Sequence, residues 1–135
     1  MRCIRVDQPS EFDDHIALAV GQSDAVFVLF FGRETEETNK SWCPDCVIAD
    51  PLIRKAISTV DNSIILEIPV DRSTDTSSPA LVFRQRNDVS LQKVPTLLRW
   101  TKHGPSSIRL VEDECHRKEN ILDFVAKTND PCPQE

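Results

Sequence analysis

Two cysteines stand three positions apart in Trp42-Cys43-Pro44-Asp45-Cys46. From Pro44 to about residue 59, Val47, Ala49, Ile53, Ala56, Ile57 and Val60 recur at three- and four-residue spacing, which predicts a helix. Pro44 then takes the first helical position, where a missing N–H costs nothing. Pro51, inside the run, is expected to kink the helix. Cys43 falls at the N-terminal end, where unpaired N–H groups and the helix dipole favour a thiolate. Cys46 lies one turn further in, behind Cys43 and less exposed. This placement suits thiol–disulfide exchange: Cys43 attacks a substrate disulfide, and Cys46 then attacks Cys43 and releases the reduced substrate. Trp42 gives an apolar wall beside the nucleophile. Asp45 complements the helix dipole, yet as a charge beside Cys43 it opposes the thiolate. Pro44 and Asp45 are therefore the expected tuners of redox behaviour. Zinc would need two further ligands, and Cys115-His116, adjacent in sequence, cannot easily complete a tetrahedron.

The elements that must hold these residues follow from hydrophobic pattern. Residues 3–6 alternate and predict a short strand. Ser10 is the expected cap of a helix whose apolar face is Phe12, Ile16 and Ala19 or Val20, with Gly21 as its stop. Residues 25–31 are continuously apolar, the pattern of a strand buried on both faces. Residues 32–41 are polar and predict a loop; residues 26–31 hold no acid, which leaves the proton of Cys46 to water or to Glu34. Residues 63–70 predict a third strand, and residues 71–78 a loop. Ser78-Pro79 is expected to start a short helix. Residues 96–101 and 107–112 predict a hairpin turning at Gly104-Pro105. A last helix is expected over 117–127, with Ile121, Leu122, Phe124 and Val125 inward. The order is β-α-β-α-β-α-β-β-α: an α/β chain with a central mixed β-sheet flanked by helices.

Length and composition narrow the rest. The 135 residues, 39% hydrophobic and 28% charged, fit one globular domain over residues 1–135, with 129–135 expected as a frayed tail. Twenty-two acidic against 16 basic side chains, a net charge of −6, argue against a protein that tracks nucleic-acid phosphates. Five cysteines, an odd number, argue against a disulfide-stapled secreted module. Residues 1–7 contain no apolar leader core. The longest apolar run, seven residues, is far short of the ~20 that span a bilayer. The expectation is a cytoplasmic protein without membrane contact. No glycine-rich nucleotide motif is present, so no bound cofactor is expected. Cys3 and Cys115 are expected to pack in the interior and Cys132 to be a tail thiol. His15, His103 and His116 receive no catalytic role, and Trp100 is expected to fill a sheet face.

Trp-Cys-x-x-Cys, Pro51 five residues past Cys46, and Val94-Pro95-Thr96 together resemble the thioredoxin family. The block Lys40-Ser41-Trp42-Cys43-Pro44-Asp45-Cys46, Val94-Pro95-Thr96-Leu97-Leu98, and Leu110-Val111-Glu112 with Cys115 are similar to one branch of it. That branch is marked by the Pro-Asp dipeptide and a longer loop before the motif. The resemblance implies a thioredoxin fold. It implies that Pro95 is the family's cis-proline, with Val94, Pro95 and Thr96 holding extended substrate backbone. It also implies a cytosolic disulfide reductase, recharged by NADPH-dependent thioredoxin reductase, acting on small disulfides such as cystine and on selected protein disulfides. Some peroxide reduction and a role in signalling accompany that picture, and the chain is expected to be a monomer. The competing reading is a module that docks a signalling protein, with the dithiol only switching that contact.

Overall fold

The computed structural model describes residues 1–71 and 82–128. Strands β1 (Arg2–Arg5), β2 (Val26–Gly32), β3 (Ile64–Val70), β4 (Thr96–Thr101) and β5 (Gly104–Val111) form one sheet in the order β1-β3-β2-β4-β5. β1 and β2 both run parallel to β3, β4 is antiparallel to β2, and β5 is antiparallel to β4. The helices are α1 (Phe12–Gln22), α2 (Pro44–Ile57), α3 (Val82–Gln85) and α4 (Lys118–Thr128). The order and the mixed sheet are those expected from the sequence, and they are those of the thioredoxin fold.

β2 is buried at every position because helices cover both sides of it. Phe27 and Phe30, three apart on a strand, point to opposite faces. On one face Phe30 meets Phe83 of α3 edge-on at 5.0 Å between ring centroids, and Phe12 of α1 meets Phe83 and Trp100 at 5.3 Å each. On the other, Phe27 meets Phe124 of α4 at 6.3 Å, beside the buried stripe Ala49, Ile53, Ala56 and Ile57 of α2. Pro51 lies inside α2, and the helix continues through it to Ile57.

Several expectations shift. Ser10 sits in a 3-10 turn (Pro9–Glu11) that leads into α1, and α1 has no side-chain cap. α1 passes Gly21 and ends at Gln22, where the Ser23 N–H bonds to Ala19 O. Val47 and Leu122 are exposed, 39% and 42%, because they fall beside the buried stripes of α2 and α4. Cys3 is exposed rather than packed, since β1 is an edge strand; Cys115 is buried as expected. The hairpin turns at Lys102-His103, and Gly104, at φ 105°, already pairs with Thr101. Residues 32–41 are folded back on themselves: Glu34 bridges Ser41, the Thr35 N–H donates to Lys40 O, and the Asn39 N–H donates to Thr35 O. The start of the expected helix at Ser78-Pro79, the tail over 129–135 and Cys132 lie outside the described residues. An element that periodicity misses is a 3-10 turn, Glu112–His116, between β5 and α4. Its signal is a Glu three residues after Val111: the Glu114 carboxylate accepts the Val111 N–H at 2.9 Å, half of a capping box.

Candidate active site

The site forms where β2 ends. Gly32, its last residue, has no side chain, and the chain returning from the 33–41 loop packs on that bare backbone. A Cβ there would lie 2.8 Å from both Ser41 Oγ and Trp42 Cε2, and 3.0 Å from Cys43 Cβ. The Trp42 backbone N–H donates to Arg33 O, and its indole Nε1–H donates to Val70 O at 2.8 Å, at the end of β3. Trp42 is thus locked across the ends of two neighbouring strands. The Ser41 hydroxyl accepts the Cys43 N–H at 3.0 Å.

Cys43 is the N-cap of α2, extended at φ −98° and ψ 113°, with Pro44 at the first helical position and Asp45 in the first turn. Its carbonyl starts the helix by accepting the N–H groups of Cys46 and Val47. The Cys43 thiol lies 3.7 Å from Val94 O. The following Val94–Pro95 peptide is cis. The Pro95 carbonyl accepts the Glu112 N–H at 2.7 Å, and the Thr96 hydroxyl donates to Lys93 O at 2.6 Å. The loop facing Cys43 is therefore tied both to itself and to the 3-10 turn. Cys115 packs beneath it, its sulfur 4.0 Å from Pro95 O.

Cys46 lies deeper, 2% exposed against 6% for Cys43. It is one turn inside α2, and the Gly32 N–H donates to its sulfur at 3.3 Å. Burial pushes the Cys46 thiol well above the ordinary range, and the neighbouring Cys43 adds to this, while Gly32 N–H and the Ser41 hydroxyl act against it. The structure holds both as free thiols. A 310 Å³ cavity opens on the Cys46 side, lined among others by Glu34, Lys40, Ser41, Asp50 and Arg54.

The structure brings Trp42, Cys43, Pro44, Asp45 and Cys46 together with Val94, Pro95 and Thr96. Glu34 is engaged elsewhere: Arg5 grips its carboxylate with two bonds of 2.9 and 3.1 Å and holds it below the usual carboxylate range. Arg33 next to it pairs with Asp7 and Asp71. Sequence reasoning missed His116. Its Nε2, on the 3-10 turn, is buried 3.3 Å from Asp45 Oδ1, within ion-pair range but without hydrogen-bond alignment. No local signal joins two residues so far apart in sequence. Among the described residues, no group of three or more His, Cys, Asp or Glu side chains could hold a metal ion. No described helix is long and apolar enough to cross a membrane.

Fold and paired thiols together define a thioredoxin-fold redox protein with a candidate dithiol at Cys43 and Cys46. Residues 5–127 match the family model for the thioredoxin domain of thioredoxin domain-containing protein 17-like proteins, and the chain belongs to that family. It is 36% identical over 106 residues to thioredoxin domain-containing protein 17 of Mus musculus, covering 78% of this chain and 79% of that protein. It is 34% identical over 102 residues to the thioredoxin-like protein Clot of Arabidopsis thaliana, covering 74% and 75%. Among solved structures, a thioredoxin from Nicotiana alata superposes with a TM-score of 0.65 over 96% of this chain and 94% of that one, at 16% identity. At that identity the likeness speaks for the fold alone.

Proposed function

We propose that this protein is a cytoplasmic disulfide reductase, working as one monomeric domain, with Cys43 as nucleophile and Cys46 as resolving thiol. One observation carries the reading: Cys43 caps α2 with its sulfur against the Val94 carbonyl beside cis-Pro95, while Cys46 is buried directly behind it. The Cys43 thiolate attacks one sulfur of a substrate disulfide. A mixed disulfide forms, and the leaving sulfur departs as a thiolate and takes a proton. Cys46, kept protonated by burial until then, gives its proton to water and attacks Cys43. The Cys43–Cys46 disulfide forms and the second substrate thiol leaves, so two electrons pass to the substrate. Thioredoxin reductase returns them from NADPH, and the chain itself needs no bound cofactor.

Val94, Pro95 and Thr96 form the platform for substrate backbone, and Trp42 its apolar wall. Pro44 and Asp45 tune the dithiol. The substrates are small disulfides such as cystine and selected protein disulfides, with peroxide reduction a minor activity. A family match over residues 5–127 and relatives carrying the name thioredoxin domain-containing protein 17 support this reading. Cys46→Ser tests it, because that variant stalls at the mixed disulfide. Incubated with oxidised substrates, it should retain a cysteine adduct on Cys43 that a reductant releases. Absence of any Cys43 adduct, with Cys46→Ser folded, would refute the assignment.

A further inference from the structure

Asp45 stands between the two cysteines, where an uncompensated carboxylate disfavours a thiolate on Cys43. Its one ion-pair partner among the described residues is His116, with Nε2 at 3.3 Å from Oδ1. Among the described residues the His116 Nε2 has no hydrogen-bond partner, and it is shielded from solvent, so Asp45 is the described group it faces. The 3-10 turn that carries His116 packs against α2, α4, β5 and β4. Among the described side chains there, the other charged groups are engaged or exposed. Glu112 of the turn pairs with Lys93, and Glu114 accepts the Val111 N–H. On α2, Asp50 pairs with Arg54, and Lys55 is exposed. On α4, Lys118, Glu119 and Asp123 are exposed. Arg99 of β4 donates to Asp24 O and Arg109 of β5 to Val89 O. Cys115 precedes His116 in the turn, and Cys43 and Cys46 stand on either side of Asp45 at the start of α2.

We propose that His116 is a positioning residue for the dithiol: as an imidazolium it holds and offsets the Asp45 carboxylate, and so keeps Cys43 reactive in mildly acidic conditions. Histidine is the side chain whose charge ordinarily changes between about pH 5 and 8. A protonated His116 offsets Asp45 and leaves the helix N-terminus to favour the Cys43 thiolate; a neutral His116 leaves the Asp45 charge to oppose it. The reactivity of Cys43 therefore rises less steeply with pH than a lone thiol would.

The inference rests on Cys43 being the nucleophile, but its test needs no turnover. The reduced full chain is alkylated with iodoacetamide from pH 5.5 to 9, and the adduct on Cys43 is resolved from those on Cys3, Cys46, Cys115 and Cys132 by peptide mass spectrometry. Circular dichroism at each pH confirms that each variant is folded. His116→Gln should slow Cys43 alkylation about three- to tenfold near pH 6, with the gap closing above about pH 8. His116→Arg, a permanent cation, should restore the rate near pH 6 and extend it above pH 8. In an Asp45→Asn background, His116→Gln should have no further effect. A change that is absent, uniform across pH, or undiminished in the Asp45→Asn background would overturn the proposal. Failure of Cys43 to form mixed disulfides would instead refute the reductase reading and leave these profiles readable.

Discussion

The Gly32 N–H donates to Cys46 Sγ at 3.3 Å, joining the last residue of β2 to the inner thiol of α2. The same glycine leaves the gap that Ser41, Trp42 and Cys43 fill. Gly32→Ala should therefore disturb the site before it disturbs the sheet. A methyl 2.8 Å from Trp42 and Ser41 forces both to move, and overpacking of this kind costs about 1–3 kcal/mol. Urea unfolding should show that loss, and disulfide reduction should fall at least tenfold. A variant with parent-like turnover would mean that the packing of Trp42 and Cys43 on Gly32 does not set the geometry.

The buried Cys46 thiol makes stability depend on alkaline pH. Its folded value is raised, so as pH climbs past the ordinary thiol range the unfolded chain loses this proton while the folded chain keeps it. The unfolded state then binds fewer protons, and stability falls with rising pH. The reduced protein should lose up to about 1.4 kcal/mol per pH unit above about pH 8.5 from this group. Below that range the contribution is flat. Urea midpoints at pH 7 and pH 10, compared with those of Cys46→Ser, isolate it; the serine variant should show the shallower decline.

Glu34 should not serve as the proton partner of Cys46. Arg5 holds it as a carboxylate, with its folded value below the ordinary one. That pairing contributes stability above about pH 4.3 that is lost as pH falls through the depressed value. The pair is partly exposed, so the loss should be at most about 1 kcal/mol. Glu34→Gln should leave the pH–rate profile for disulfide reduction unchanged between pH 6 and 9. A shifted alkaline limb would place Glu34 in the proton path.

Trp42→Phe removes the indole donor to Val70 O while keeping an aromatic wall. The Val70 carbonyl still accepts the Arg33 N–H. The loss should therefore be that of one hydrogen bond, about 0.5–1.5 kcal/mol by thermal or urea unfolding. Cystine reduction should fall by less than tenfold, whereas Trp42→Ala should lower it further by opening the site.

The dithiol and most elements were legible in the sequence because their signals are local. Seven consecutive apolar residues define β2, and Pro44 beside Cys43 marks the start of α2. What the sequence hid depends on contacts distant along the chain. Cys3 reads as a packed residue because cysteine is so often buried, yet the strand order leaves β1 at an edge and Cys3 exposed. Residues 32–41 read as an open loop, because the Glu34–Ser41 bridge and the Arg5 grip on Glu34 have no periodicity. Val47 and Leu122 match helical spacing but lie just off the buried stripe. The contact between Asp45 and His116 needs the 3-10 turn to pack on α2, which no spacing announces.

The most direct measurement is NADPH oxidation by the purified chain with thioredoxin reductase and cystine. The reading predicts consumption of one NADPH per cystine reduced, abolished in Cys43→Ser. No coupled oxidation, or equal rates in the parent and Cys43→Ser, would contradict it.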